Sequence, residues 1–423
     1  MEATAQPPAP PAGTSPNTAL EDLFGGSGRP EAYGLALSGG GIRATLFHLG
    51  AIRRINEMGH LGDIDRIASV SGGAIATGLL AKGWKQLNWV GGRATNLEEV
   101  FQTRVMRMAT LPLDIPIVLL GLIPFVSPAK LLARVLDLVF FRGMTLQDLP
   151  KAEKGEKPRF IFNASDLATG TLFRFEQPYM GTYRVGLVQK PDVKVATAVA
   201  ASAAFPPIVS PLNLEMDPAK VIDPDPNGPR RADLHGRADL RRRAALVDGG
   251  AYDNLALEPI TGRCRTYLVS DAGGNLTIDP PSWKWWFWSL QLLRTLDIAV
   301  SQDRALRRSS LFDHLAAHPV ALWRTVTNPK DTTKYPAITP FPVNPGWPEY
   351  ISTRSTRLWP FSMSDRKRLV NWGYLTADVL LRSFIWSDAE PPVRLPFEDA
   401  TFAGPPPSAV SIAGQPVDQT GLS

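Results

Sequence analysis

The sequence is poor in the residues that form disulfides and bind metal ions. Its 423 residues include one cysteine, Cys264, and five histidines. A single cysteine excludes an internal disulfide, and these scattered side chains do not have the spacing of a metal-ligand set. We therefore predict no bound metal and no other cofactor.

The chain also lacks a long apolar run and a dense block of charge. Its most apolar region contains fifteen consecutive uncharged residues, 115–129, whereas a membrane-spanning helix needs about 20. The net charge of +5 would attract anionic lipid or nucleic acid, but no nucleic-acid-binding motif accompanies it, so we predict no nucleic acid partner. No apolar segment follows Met1-Glu2, which predicts that there is no signal peptide and that the location is cytoplasmic.

Two strand–turn–helix units follow one another near the start of the chain. In the first, the apolar run 33–37 leads into Ser-Gly-Gly-Gly-Ile-Arg at 38–43, and a helical pattern follows. In the second, the apolar run 66–70 leads into Ser71-Gly72-Gly73 ahead of a short helix. This order predicts two turns that serve one site.

The residues of these turns suit a hydrolase. A serine on a sharp strand-to-helix turn exposes its hydroxyl group, and the helix N-terminus behind it favours negative charge. Consecutive glycines leave backbone N–H groups uncovered, and such a nest can hold a phosphate or the oxyanion of acyl transfer. The alternative for Ser71 is an ordinary helix N-cap. The alternative for the glycines is a nucleotide-phosphate loop, although neither the G-x-G-x-x-G spacing nor the P-loop ending is present.

A possible partner for the serine lies far along the chain. The apolar run 244–247 ends in Asp248-Gly249-Gly250, which places a carboxylate at the end of a buried strand. An aspartate before glycine is also common in turns, and that is the alternative.

These motifs, with a block of Ala, Ser, Phe and Pro at 200–207, resemble those of the patatin-like phospholipases. That family of lipid acyl hydrolases is related to the catalytic domain of cytosolic phospholipase A2. The resemblance covers about residues 30–385 and implies an α/β fold: a three-layer, lysophospholipase-like sandwich with a central, mostly parallel sheet. One departure is Ser69, which replaces the first glycine of the family's nucleophile motif and therefore needs a negative φ.

The resemblance also implies a mechanism and a set of site residues. The serine attacks an ester carbonyl and forms an acyl-enzyme, while the aspartate acts as general base. Only His314 and His318 follow Asp248 in the chain, and neither lies in a motif, so a dyad is favoured over a Ser-Asp-His triad. Arg43 is expected to face a lipid phosphate or to steady the loop, and the alternative is a salt bridge packed under the loop. The implied residues are Ser71 and Asp248 for catalysis, Gly39, Gly40, Gly41 and Arg43 for the oxyanion hole, and Ser69, Gly72 and Gly73 for the nucleophile turn.

Two apolar regions suggest contact with a membrane. We predict that residues of about 100–150 form a helical cap that lines an acyl groove, with a helical layer completing the core as the alternative and a transmembrane helix disfavoured. The Trp- and Lys-rich segment 283–288 has the composition of a lipid–water boundary. We therefore predict peripheral membrane contact.

The sequence predicts one catalytic domain between two tails. Residues 1–28 and 388–423 are rich in proline and are expected to be flexible, and the domain covers 29–387. The predicted function is hydrolysis of carboxylic esters in phospholipids. The alternatives are a carboxylesterase or acyltransferase that acts on neutral acyl esters, and an inactive protein that docks on membranes. Protein partners are not indicated.

Overall fold

The computed structural model describes residues 31–407, apart from 114–115, 118–126, 152–153, 227–231, 275–285 and 315–317. The helices are α1 (Gly41–Glu57), α2 (Gly72–Gly83), α3 (Thr103–Met108), α4 (Pro128–Leu136), α5 (Val195–Ser202), α6 (Ala238–Arg242), α7 (Gly250–Asp253), α8 (Trp288–His314), α9 (Trp347–Ser352) and α10 (Met363–Phe384). The strands are β1 (Glu31–Leu37), β2 (Ile64–Ser69), β3 (Trp89–Val90), β4 (Arg93–Ala94), β5 (Arg159–Asp166), β6 (Thr171–Phe175), β7 (Tyr179–Thr182), β8 (Gly186–Gln189), β9 (Leu212–Glu215), β10 (Val221–Ile222), β11 (Arg243–Asp248), β12 (Cys264–Asp271) and β13 (Val320–Arg324).

One sheet of eleven strands organises the chain. Its order is β10–β8–β7–β6–β5–β2–β1–β12–β13, and β11 and β9 branch from β5. The strands from β5 through β2, β1 and β12 to β13 are parallel to one another. The strands beyond β5, and β11 beside it, are antiparallel. The predicted α/β fold with a parallel sheet at its centre is confirmed.

Helices cover both faces of the central strands. In β1, Leu35 and Leu37 belong to a large buried cluster with residues of α1, α2 and α10. Ala36 between them belongs to a second buried cluster that includes Leu311 of α8. Because neighbouring residues of a strand point to opposite faces, these helices form layers on the two sides of the sheet.

Two glycines allow α1 and α10 to cross in close contact. A side chain on Gly50 would overlap the carbonyl oxygen of Val370, and one on Gly373 would overlap that of Phe47. The contact fixes α1 in the helical layer on one face of the sheet, and α1 begins at the glycine turn after β1. The packing of this helix pair therefore fixes the position of that turn.

The described parts of the predicted cap pack into the main core. Val105 and Met108 of α3 and Leu132 of α4 are fully buried there, as is Phe141 in the π-helical turn that follows α4. This packing favours the alternative of a helical layer that completes the core. Most of the apolar run 115–126 lies outside the described residues. Across the described ranges, no helix is both long enough and apolar enough to cross a bilayer.

The expectation of a flexible tail from residue 388 is wrong for its first half. Leu395, Ala400 and Phe402 are buried, and the carbonyl oxygen of Phe402 accepts a hydrogen bond from the Asn344 N–H at 2.8 Å. Proline content alone suggested mobility, but apolar residues between the prolines pack against α10 and the loop before α9. Residues 1–30 and 408–423 lie outside the described residues.

Candidate functional site

Ser71 occupies a strained turn between β2 and α2. Its backbone has φ 53° and ψ −119°, a region that costs a residue other than glycine about 1–3 kcal/mol. Within the described chain its side chain makes no capping hydrogen bond to α2, so the N-cap alternative is wrong. The strain lies at Ser71 itself; Ser69 remains in β2, where its hydroxyl donates to the carbonyl oxygen of Ile161 at 3.0 Å.

The Ser71 side chain instead lies close enough to the Asp248 carboxylate to act on its pKa. Asp248 ends β11, which lies beside β5 with Asp248 opposite Ala164, and β5 is the neighbour of β2. The Oδ1 atom of Asp248 also accepts a hydrogen bond from the N–H of Gly250 at 2.8 Å. Burial raises the pKa of Asp248 to about 6, although the Gly250 N–H and the Ser71 side chain both act to lower it. The result is a nearly buried carboxylate that is a stronger base than an exposed one.

The end of α5 holds the serine turn and the aspartate together. Ser202 Oγ accepts the backbone N–H of Ser71 at 3.0 Å, and the Ser202 carbonyl oxygen accepts the N–H of Gly249 at 3.3 Å. The carbonyl oxygen of Ala204 accepts the N–H of Asp248 at 2.9 Å. The sequence marked this block only as part of a motif, and the bridging role of Ser202 was missed because no local pattern reports a contact across 131 residues.

The glycine turn after β1 lies against the serine turn. A side chain on Gly72 would overlap the carbonyl oxygen of Gly41, and one on Gly73 would overlap that of Leu37. Gly40 and Gly41 have φ values of 141° and 59°, which favour glycine. Among the described residues, no acceptor faces the backbone N–H of Gly40 or Gly41. These two N–H groups therefore have no hydrogen-bond acceptor within the described part of the chain.

Two residues predicted for the oxyanion hole donate hydrogen bonds to carbonyl oxygens of the protein itself. The N–H of Gly39 donates to the carbonyl oxygen of Asn254 at 3.1 Å. Arg43 is fully buried, and its guanidinium donates to the carbonyl oxygens of Ser352, Arg354 and Ala272 at 2.7, 2.8 and 2.7 Å. As a correction, Gly39 supplies close packing and Arg43 ties three loops together. Arg43 neither faces a lipid phosphate nor forms a direct salt bridge.

His48 bonds to the residue that begins the glycine turn. Its ring is buried and bonds to the Ser270 hydroxyl at 2.7 Å and the Ser38 carbonyl oxygen at 2.9 Å. Burial lowers the pKa of His48 to about 4, so the ring is neutral at pH 7. His318 packs edge-on against Tyr267, away from Asp248. Within the described ranges, no histidine bonds to the serine or the aspartate of the candidate site.

The fold and site define an α/β protein with a strained serine at a strand–helix turn and a buried aspartate beside it. The sequence profile of the Patatin family, described as patatin-like phospholipase, matches residues 35–260. The chain belongs to this family of lipid acyl hydrolases. No curated protein matches it.

Solved structures with a similar fold include phospholipases and a bacterial protein. Human GIVD cytosolic phospholipase A2, in complex with methyl gamma-linolenyl fluorophosphonate and terbium chloride, has 13% identity and a TM-score of 0.44 over 86% of this chain and 60% of its own. VipD from Legionella pneumophila has 17% identity and a TM-score of 0.38 over 84% of this chain and 67% of its own. In a second structure of the human enzyme, the match spans 48% of that chain.

Proposed function

We propose that this protein hydrolyses the carboxylic ester bonds of phospholipids, with Ser71 as nucleophile and Asp248 as general base. The observation that carries the proposal is the placement of a strained, partly exposed serine beside a buried carboxylate with a pKa of about 6. A base of this strength is ionised at pH 7 and still accepts a proton more readily than an ordinary aspartate.

The proposed reaction has two halves. Asp248 accepts the Ser71 proton as Oγ attacks the ester carbonyl carbon, and the proton then passes to the departing alcohol of the lysolipid. This leaves an acyl-enzyme on Ser71. In the second half Asp248 takes a proton from water, the hydroxide adds to the acyl carbon, and Ser71 recovers its proton as the fatty acid leaves.

Negative charge develops on the carbonyl oxygen of the ester and of the acyl-enzyme in both halves of the reaction, and it needs hydrogen-bond donors. We assign this role to the N–H groups of Gly40 and Gly41, which begin α1 and have no protein acceptor among the described residues. The 12-residue helix α2 begins immediately after Ser71, and its N-terminus adds a favourable dipole. Loss of one such donor typically slows an enzyme by about 10²- to 10³-fold.

The test compares fatty-acid release by the wild type, Ser71→Ala and Asp248→Asn. Each protein is given phosphatidylcholine vesicles and, separately, a triacylglycerol emulsion, and free fatty acid and lysolipid are measured. We expect release from the vesicles by the wild type alone. Release from the emulsion alone would instead support a neutral-ester carboxylesterase, and release by all three proteins would refute the dyad.

A fluorophosphonate probe tests the nucleophile without a known substrate. Intact-mass measurement should find one adduct on the wild type and none on Ser71→Ala. Ser310→Ala, which removes an exposed serine of α8, is the matched control and should be labelled like the wild type. Vesicle binding without fatty-acid release or labelling would point to an inactive docking protein.

We also propose that α8 contacts the membrane surface. The helix has 27 residues, and Arg304 and Leu311 are its buried ones. Large apolar side chains are exposed along its length and just before it, including Trp286 at 89%, Trp288 at 76% and Leu306 at 69%. An apolar surface of this kind, with tryptophan at one end, suits the lipid–water boundary.

Sedimentation with sucrose-loaded phosphatidylcholine vesicles tests this contact. Trp288→Ser should reduce the bound fraction, whereas Trp359→Ser, which removes an exposed tryptophan outside α8, should leave it unchanged. Equal binding by both variants and the wild type would refute the assignment to α8.

A further inference from the structure

Three arginines surround one buried aspartate beside the candidate active site. Asp271 ends β12 and is 1% exposed. Its Oδ2 lies 3.2 Å from Nη1 of Arg308 and 3.5 Å from Nε of Arg324, and its Oδ1 lies 3.9 Å from Nη1 of Arg304. We refer to Asp271, Arg304, Arg308 and Arg324 as the arginine cluster.

Counted over the described residues, the cluster has more positive than negative charge. In the described part of the chain, Asp271 is the carboxylate within 4 Å of these arginines, so three positive charges share one negative charge. Arg304 is almost fully buried and its Nε has no hydrogen-bond partner among the described residues. Since buried charge without compensation is costly, the cluster has the charge balance of a site for an anion.

The side chains that could reach a ligand are partly open to solvent. The side chain of Arg308 is 18% exposed and that of Arg324 is 31% exposed, against 5% for Arg304. Guanidinium groups bind phosphate oxygens in pairs of parallel hydrogen bonds. Two partly exposed arginine side chains and a third, buried one therefore supply the positive charge that a phosphate group needs.

The cluster lies at the same edge of the sheet as the serine. Asp271 and Arg324 are register partners at the carboxyl ends of β12 and β13, and β12 is the neighbour of β1, which leads into the glycine turn. Three strand spacings separate β2 from β13 in the sheet order, or roughly 14 Å. The cluster is therefore outside the catalytic turn but on the same rim, where ligands of parallel α/β sheets bind.

We propose that Arg308 and Arg324, backed by Arg304, form a binding site for a phosphate group at the rim of the active site. The phosphate comes from a lipid headgroup or from free phosphate in solution. Its assignment to a lipid rests on the proposed function, whereas the site itself does not. With Arg43 buried under the glycine turn, the arginine cluster takes over the phosphate contact that the sequence assigned to Arg43.

The first measurement is thermal stabilisation by inorganic phosphate in the full chain with Ser71→Ala, which leaves no nucleophile. Phosphate and chloride are compared at equal ionic strength. We expect phosphate to raise the melting temperature, and the double variant Arg308→Gln/Arg324→Gln to bind it about tenfold more weakly or worse, because two charge-assisted contacts are lost. The control Arg184→Gln/Arg237→Gln removes the same charge from two exposed arginines paired with Asp233 and Asp239, and should respond like the parent.

The second measurement identifies the source of the phosphate. The same proteins are sedimented with phosphatidylcholine vesicles that contain either phosphatidic acid, a phosphomonoester, or an equal charge of oleate, a carboxylate. Preferential binding to phosphatidic acid that the double variant loses is the expected result. Stabilisation by phosphate without vesicle preference would support the site and assign it to free phosphate.

Two results would overturn the proposal. One is the absence of both effects in the parent, and the other is equal effects in the parent and the double variant. If the double variant does not fold, the single change Arg324→Gln at the most exposed arginine of the cluster replaces it. Since neither measurement depends on turnover, failure of the phosphate site and failure of the proposed hydrolysis are distinguishable.

Discussion

Replacing Asp248 with asparagine should make the protein less active and more stable. Burial raises the pKa of Asp248 from its ordinary 3.8 to about 6, so the folded protein binds this proton more tightly than the unfolded chain does. At 1.36 kcal/mol per pH unit, the ionised carboxylate costs the folded state about 3 kcal/mol above pH 6. This cost is absent below pH 4, where the group is protonated in both states, and it grows as the pH rises from 4 to 6.

The expected gain therefore depends on pH. Asparagine has nearly the same shape, and its amide oxygen can still accept the Gly250 N–H. At pH 7.5 the Asp248→Asn variant should gain up to about 3 kcal/mol, or roughly 3–6 °C in melting temperature. At pH 4 the two proteins should melt together. Without a general base, kcat should fall by about 10²- to 10⁴-fold, and wild-type kcat/KM should rise with pH and level off above about pH 6.

Melting curves at pH 4.0, 5.0, 6.0 and 7.5 give the stability, and fatty-acid release gives the rate. Asp192→Asn, at an exposed position, is the control and should show no pH-dependent difference. A melting-temperature difference that is equal at every pH would show that ionisation of Asp248 is not its cause. An Asp248→Asn variant that is folded but less stable than the wild type at pH 7.5 would refute the claim that the ionised Asp248 carboxylate destabilises the folded state.

Four further predictions use the same melting assay. Asp271→Asn should be destabilising by about 3 kcal/mol or more at pH 7 because it leaves three arginines without their carboxylate. The pKa of Asp271 in the folded wild type is lowered, so the difference between the two proteins should fade as the pH falls below 4 and Asp271 becomes protonated. Ser71→Gly should be more stable than Ser71→Ala by about 1–3 kcal/mol, since both lack the hydroxyl and only glycine relieves the strained φ. Gly41→Ala should prevent folding because its side chain would overlap the Thr356 carbonyl oxygen, whereas Gly59→Ala, also at positive φ but in open space, should cost only about 1–2 kcal/mol. Arg43→Met should lower the free energy of unfolding by roughly 3 kcal/mol, at about 1 kcal/mol for each of its three hydrogen bonds, without changing phosphate binding. Equal melting temperatures for Ser71→Gly and Ser71→Ala, or for Gly41→Ala and Gly59→Ala, would contradict the packing described. A wild-type melting temperature for Arg43→Met would contradict it as well.

Local sequence pattern was sufficient for the elements that carry the motifs. Apolar residues at helical spacing predict a helix over 44–58, and the structure has Gly41–Glu57; the helix starts earlier because the glycine turn leads directly into it. Apolar runs at 159–164 and 172–176, with a Thr-Gly-Thr turn between them, predict a strand pair, which is confirmed as Arg159–Asp166 and Thr171–Phe175. These segments combine apolar periodicity with glycine or turn residues at their ends, so physical signals agree at each boundary.

The features that the sequence could not supply depend on contacts between distant segments. The proline-bearing sequence of 315–360 predicts a region rich in loops, yet Val320–Arg324 is the last strand of the sheet. A run of five residues buried beside β12 has no periodicity that distinguishes it from a loop. The role of Arg43 stayed open between a phosphate contact, steadying of the loop and a buried salt bridge because the motif does not show what surrounds its guanidinium. Only the fold shows that residues 352–354 supply the carbonyl groups that surround it.

Two aspartates with the same local sequence pattern show why tertiary structure decides their roles. Asp248 and Asp271 each end an apolar strand, each precede glycines, and each are almost fully buried. Burial alone would raise both pKa values, but Arg304, Arg324 and Arg308 hold the pKa of Asp271 below its usual value, whereas Asp248 is opposed only by neutral donors and its pKa rises to about 6. A buried carboxylate among arginines is a permanent anion, while one beside a hydroxyl and a backbone N–H can exchange a proton near neutral pH. Under the two proposals, the pair separates proton transfer from charge binding along one edge of a single sheet.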